Sequence, residues 1–207
     1  MQGKIITISR QCGSGGHSIG SELAKKLDVP FYEKEIIEMA AKESGFHQEF
    51  VEEQGEHMNG SMLFNIAHHV AYAGRGSYKD YQPLQDQLYF TQVKVIKELA
   101  EKGPCVIVGR CADYILRGRN DVLNVFIHAD MEHKKNRCLE RGQFSEENAE
   151  DMIRRRDKLR ADHYRYYTDE KWGDSTNYHL CMDSSVFGIE KCVSMIENAC
   201  RGMYPDS

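Results

Sequence analysis

Residues 6–20, ITISRQCGSGGHSIG, set glycines at 13, 15 and 16 and a hydroxyl at Ser18 between a β-branched run and a segment of helical periodicity. Glycine lets successive backbone N–H groups turn inward, and the start of a helix adds partial positive charge. Such a turn suits phosphate groups. Gly13, Ser14, Gly15, Gly16, His17 and Ser18 are therefore the candidate cradle, with Ser18 at the helix start the candidate Mg²⁺ ligand. Arg10 stands at the loop entrance, where a cation can serve a transferring phosphoryl group with help from a protonated His17, or can simply pair with a surface acid. Two other readings fit these residue types. A Gly-rich turn can exist simply as a tight connection. Gly13-Ser14-Gly15, with Glu33 about twenty residues on, would also open a dinucleotide site. Against the second, the third glycine of that fingerprint would fall at Ser18, and the first would sit much nearer the strand end.

Arg110 closes a buried-looking run, PCVIVGR, where a guanidinium is costly without a partner. An acceptor phosphate held bidentately would be one partner; Asp113 or Glu33 would be another. Asp113 and Glu33 are themselves candidates for acceptor hydroxyls or for water-mediated magnesium. Arginines 154, 155, 156, 160 and 165 crowd a single charged segment, and positions 156 and 160 share a helical face. A lid carrying Arg156 and Arg160 can close over a phosphoryl group and exclude water. The alternative is a solvated helix with acids at 146, 147, 150 and 151. Tyr164, Tyr166, Tyr167 and Trp172 can stack on a base or pack against one another. His57, His68 and His69 lack a third ligand, and adjacent histidines face different ways on a helix, so a metal site is not expected there. No G-x-S-x-G turn follows a strand, which argues against a Ser–His hydrolase.

The elements that must position these groups alternate. Residues 5–8 read as a strand buried on both faces. A helix follows the Gly-rich turn and breaks at Asp28-Val29-Pro30, and Phe31-Tyr32 suggests a second strand. Helices are expected over 33–43, 85–102, 130–141, 145–165 and 189–200, with a short one in ADYILRG. Strands are expected at 105–108, 122–127 and in YHLCMD. This order predicts a parallel sheet with helices on both faces. Residues 46–83, read as short helices and a loop, would form a lobe over the carboxyl ends of the strands.

Bulk properties narrow the class. The 207 residues are 41% apolar and 29% charged, which suits a folded chain rather than a disordered one. A net charge of −5 disfavours nucleic acid, and no run approaches the roughly 18 apolar residues that cross a bilayer. Seven cysteines without a C-x-x-C pair read as reduced, mostly buried thiols. MQGKIITISR runs straight into a strand with no signal peptide, so a cytoplasmic location is expected.

ITISRQCGSGGHS resembles the opening of bacterial cytidylate kinases, in which a strand enters a G-x-x-G-x-G-K-G-[ST] loop. Gly13, Ser14, Gly15 and Ser18 occupy matching positions. PCVIVGRCAD (104–113), RRRDKLRADHYR (154–165) and YHLCMDSS (178–185) are similar to that family's second core strand, arginine-rich lid and last strand. Together with YYTDEKWGD (166–174), they resemble most closely the divergent cytidylate kinase-like branch, over essentially the whole chain. The resemblance implies a three-layer α/β/α P-loop NTPase fold with a parallel sheet of about five strands. It implies one domain, 1–207, with 33–83 as acceptor-binding lobe and 145–172 as lid. It also implies ATP, Mg²⁺ and transfer of the γ-phosphoryl to CMP, another nucleoside monophosphate or another small acceptor. The expected partners are small-molecule nucleotides, without nucleic acid or membrane; the oligomeric state is not legible. Four positions depart from the pattern. Gly16 replaces the loop lysine, Arg10 the first loop glycine, Val108 the acid before Gly-Arg, and Cys111 the aspartate after it. These keep open a second class, a nucleotide-binding sensor or regulatory protein with little catalysis.

Overall fold

The computed structural model describes residues 4–45 and 84–202, so most of the expected acceptor lobe, and the histidines at 57, 68 and 69, lie outside the described residues. Five strands build the sheet: β1 (Ile5–Arg10), β2 (Phe31–Tyr32), β3 (Cys105–Val108), β4 (Val122–His128) and β5 (Leu180–Asp183). Their order across the sheet is β2-β3-β1-β4-β5, and every pairing is parallel. The helices are α1 (Gly16–Leu27), α2 (Lys34–Ser44), α3 (Leu84–Glu101), α4 (Ala112–Ile115), α5 (Met131–Glu140), α6 (Ala149–Thr168) and α7 (Ser184–Gly202).

Alternation along the strands separates two cores. Ile6, Ile8, Val106 and Val108 face the side covered by α1 and α7, where Leu23, Val193 and Ile196 meet them. Ile5, Cys105 and Ile107 face the other side, against Val95, Ile96 and Leu99 of α3. Each fully buried isoleucine contributes roughly 1.5–3 kcal/mol relative to exposure. Together these layers hold β1 rigidly between β3 and β4, and Arg10 at its end sits opposite Ile127.

The strand order reverses between β1 and β3: the connection from β1 runs to β2 on one side, and the connection from β3 crosses β1 to reach β4 on the other. That switch point opens a crevice at the carboxyl edge. Element boundaries differ from the sequence expectation where tertiary contacts intervene. α1 begins at Gly16 rather than nearer Ser18, because Gly15 takes a left-handed conformation (φ 81) at its start. The last helix begins at Ser184, five residues early, with a break at Gly188 (φ 70). Ser184 Oγ donates to the carbonyls of Ser14 and His128, which anchors that early start to the loop. All seven cysteines are free thiols, five of them buried. Among the described residues, no helix is long and apolar enough to cross a membrane.

Candidate active site

The Gly-rich turn leaves β1 at Arg10 and enters α1 at Gly16. Gly13 (φ 75) and Gly15 (φ 81) both need the left-handed region. Space demands glycine as well. A Cβ on Gly13 would lie 2.6 Å from the Lys134 carbonyl of α5, and one on Gly15 would meet Ile189 at 2.5 Å. Ser14 is fully buried and holds the turn, its Oγ donating to the Gln11 and Ile127 carbonyls. The Ser14 amide folds back to Gln11 at 3.3 Å. Among the described residues, the amides of Gly13, Gly15, Gly16, His17 and Ser18 meet no protein acceptor.

Over this turn lies a cleft of about 540 Å³. Among the described residues, its lining holds Arg10, Arg110, Arg137, Arg141, Arg156, Arg160 and Lys34 against one carboxylate, Glu33. So many cations around one concavity repel each other and favour a multiply charged anion. Arg137 and Arg141 come from α5 and its C-terminal end, one turn apart. Both donate to Ser18 Oγ, at 2.8 and 2.6 Å, and the Arg137 guanidinium packs against Gly15. Burial, and then the neighbouring Arg141, hold the Arg137 pKa below its ordinary value.

Arg10 takes another direction. Its Nη2 donates to Glu33 Oε1 at 3.1 Å, and its guanidinium packs against Gly109. The other Glu33 oxygen contacts His17 Nδ1. Arg10, His17 and Glu33 therefore form one network over the ends of β2 and β3. Arg160 reaches the Arg10 carbonyl at 3.1 Å, and Arg156 stacks over Phe144 at 4.6 Å while lining the cleft.

Gly109, Arg110 and Cys111 run consecutively through positive φ (78, 57 and 54), and two of them carry side chains that disfavour it. Strain of this kind clusters at functional sites. The turn aims Arg110 into the cleft and into a smaller adjoining cavity of about 30 Å³, also lined by Ser9, Arg160, His163, Tyr164 and Trp172. Arg110 Nη1 is buried and, among the described residues, meets no hydrogen-bond partner. Asp113 is buried beneath, accepting from Tyr164 OH at 2.7 Å and from Ser9 Oγ at 3.4 Å. Burial pushes its carboxyl up to about 6, although the Tyr164 bond pulls the other way. The same burial, with the Asp113 charge beside it, raises the Tyr164 phenol.

The structure thus brings Arg10, Gly13, Gly15, Gly16, His17, Glu33, Arg110, Arg156 and Arg160 to one cleft. Ser14 and Ser18 belong to the same turn, Ser14 as its internal brace and Ser18 as the acceptor of two guanidiniums. Asp113 faces Ser9 and Tyr164 rather than the cleft. Arg154 pairs with Glu150 on the helix surface. Trp172 and Tyr178 pack on Phe126, Tyr89 stacks on Tyr167 at 3.7 Å, and the aromatic group is thereby packing. Sequence reasoning passed over Arg137, Arg141, Lys134 and Asp157. The spacing of Arg137 and Arg141, four apart on a helix leaving the carboxyl end of β4, was the available signal.

The family model of the cytidylate kinase-like family matches residues 5–186. No curated protein matches the sequence. Among solved structures, an uncharacterized protein from Eubacterium ventriosum is 26% identical, with a TM-score of 0.70 over 96% of this chain and 99% of its own. Shikimate kinase from Acinetobacter baumannii, in complex with shikimate, is 14% identical at TM-score 0.52, covering 95% and 92% of the two chains. Shikimate kinase from Bacteroides thetaiotaomicron is 16% identical at TM-score 0.53, covering 95% and 97%. At those identities the likeness to the two kinases is one of fold alone: a parallel five-stranded sheet with helices on both faces.

Proposed function

The chain belongs to the cytidylate kinase-like family, and from that membership we propose an ATP-dependent phosphotransferase that moves the γ-phosphoryl to a CMP-like nucleoside monophosphate or another small phosphate-bearing acceptor. One observation carries the reading. The unpartnered loop amides and the arginine-lined cleft share a single concavity, which suits a polyphosphate better than any neutral ligand.

The residues present fit the triphosphate, since among the described residues the amides of 13 and 15–18 meet no protein acceptor and arginines line the same cleft. For Mg²⁺ the protein offers chiefly Ser18 Oγ, once Arg137 and Arg141 turn from it to phosphate oxygens. That suits an ion carried mainly by phosphates and water. When bound, the ion supplies charge neutralisation across the β- and γ-oxygens. Phosphoryl transfer otherwise needs alignment and positive charge. Amides 13 and 15–18 hold the donor, and Arg137 and Arg141 neutralise it. Arg156 and Arg160, already at the cleft from α6, cover the phosphoryl group and exclude water. Arg110, with its buried unpartnered nitrogen, takes the acceptor's anionic group. Arg10 stands between the two ends, fixed by Glu33.

A second reading, nucleotide binding with little turnover, is favoured by that last contact: the cation nearest Gly16 is already committed to an acid. Thermal-shift screening with ATP–Mg²⁺ and a panel of monophosphates, followed by ADP release with each acceptor, separates the two. Stabilisation by ATP–Mg²⁺ with ADP release for one acceptor supports the kinase. Stabilisation without release supports the second reading, and no stabilisation by any nucleotide removes both.

A further inference from the structure

Asp157 sits between Arg156 and Arg160 on α6, and its carboxylate joins three elements. Oδ1 accepts the Cys12 amide at 2.6 Å, and Oδ2 lies 3.3 Å from Lys134 Nζ. Lys134 belongs to α5, is only 6% exposed, and reaches Gln11 Oε1 at 3.3 Å as well. Gln11 is itself held to β4 through its amide and the Ile127 carbonyl. One turn beyond Asp157, Arg160 donates to the Arg10 carbonyl. The arginine-bearing helix is therefore tied to the backbone of the loop on both sides of Gln11.

The energetics favour a clamp over a casual contact. A hydrogen bond from an amide to an ionised carboxylate is roughly twice as strong as a neutral one. Removing the carboxylate would strand Lys134, a buried ammonium, with one amide oxygen for company, and an uncompensated buried charge is costly. An acid in the middle of RRRDKLR also relieves the repulsion that would otherwise drive this helix from an arginine-lined cleft.

We infer that Asp157 is a positioning residue that docks α6 onto the phosphate loop in the ligand-free protein, so that Arg156 and Arg160 stand at the cleft before a polyphosphate arrives. The ordering of two long side chains is then met during folding rather than at binding. The identity of the ligand rests on the phosphotransferase reading; the docking does not.

Two measurements test this on the full chain, with Asp157→Ala, Asp157→Asn, Arg160→Ala and the Asp157→Ala/Arg160→Ala double variant. In ligand-free protein, hydrogen exchange of the segment containing Cys12 should quicken roughly tenfold or more in Asp157→Ala. In Asp157→Asn, whose amide oxygen can still accept, it should quicken less. That conservative variant also serves if the alanine variant does not hold its fold. Unaltered exchange in both overturns the clamp. By calorimetry, Asp157→Ala should bind ATP–Mg²⁺ roughly tenfold more weakly, and the double variant should be little worse than Arg160→Ala, because both act through one helix. Fully additive losses would show that Asp157 does not work through the arginines. Should the wild type fail to bind ATP–Mg²⁺, the phosphotransferase reading falls, and the exchange measurement alone decides the docking.

Discussion

Arg10 occupies the space in which a side chain at residue 16 would have to begin: a Cβ built on Gly16 would stand 2.5 Å from Arg10 Cβ and 2.7 Å from its Cγ. The two departures from the cytidylate kinase loop, arginine for its first glycine and glycine for its lysine, are thus one coupled change. Gly16→Lys alone should destabilise the protein by about 1–3 kcal/mol through overpacking. The double variant Arg10→Gly/Gly16→Lys should recover most of that loss. Thermal melts of the three proteins check the coupling, and a Gly16→Lys single variant as stable as wild type would contradict it.

Arg137 and Arg141 should matter more for donor affinity than their absence from any loop motif suggests. Each replacement by alanine should weaken ATP–Mg²⁺ binding about 10- to 100-fold, as expected for a charge-assisted contact in a partly desolvated cleft. Lysine at 137 should recover only part, because the guanidinium both packs on Gly15 and bonds Ser18. Titration calorimetry at fixed ionic strength is the measurement.

Arg110 carries strain and a buried nitrogen without a hydrogen-bond partner among the described residues. Arg110→Gly removes both, so its melting temperature should be no lower than that of wild type. The same variant should raise the acceptor KM by roughly tenfold or more while ATP–Mg²⁺ affinity changes little. A lower melting temperature with an unchanged acceptor KM would assign Arg110 a structural role instead.

Asp113 makes a pH prediction whose sign is opposite to that of a salt-bridged acid. Its folded pKa, about 6, lies above the ordinary value of 3.8, so the folded state holds the proton more tightly than the unfolded chain. Its contribution to stability is fully present below pH 4 and is lost as pH rises through 6. The loss is on the order of 3 kcal/mol. Subtracting the stability profile of Asp113→Asn from that of wild type isolates this group. A flat difference between pH 4 and 7 would contradict the assignment.

Much of the fold was legible because its causes are local. β1 reads as a strand from its β-branched residues, and its burial on both faces is read from how little residues 5–8 alternate. The turn after it reads as a cradle because glycines let successive amides turn inward, and the structure places Gly13 and Gly15 at φ 75 and φ 81, where glycine is favoured. Arg156 and Arg160 were legible as partners because helical spacing alone puts them on one face. The boundaries of α6 and α7 were less so. α7 starts early through Ser184, whose bonds go to residues 170 and 56 positions away in the chain.

By itself, then, the sequence determined the alternation of elements, the position of the Gly-rich turn and the family to which the chain belongs. Those depend on backbone preferences and periodicities that act over a few residues. Only the tertiary structure decided which cations serve the turn. It sent Arg10 to Glu33, brought Arg137 and Arg141 onto Ser18, and joined Asp157 to the Cys12 amide. A long charged side chain has many rotamers of similar energy, and its destination is set by which oxygen or nitrogen the folded neighbours leave within reach.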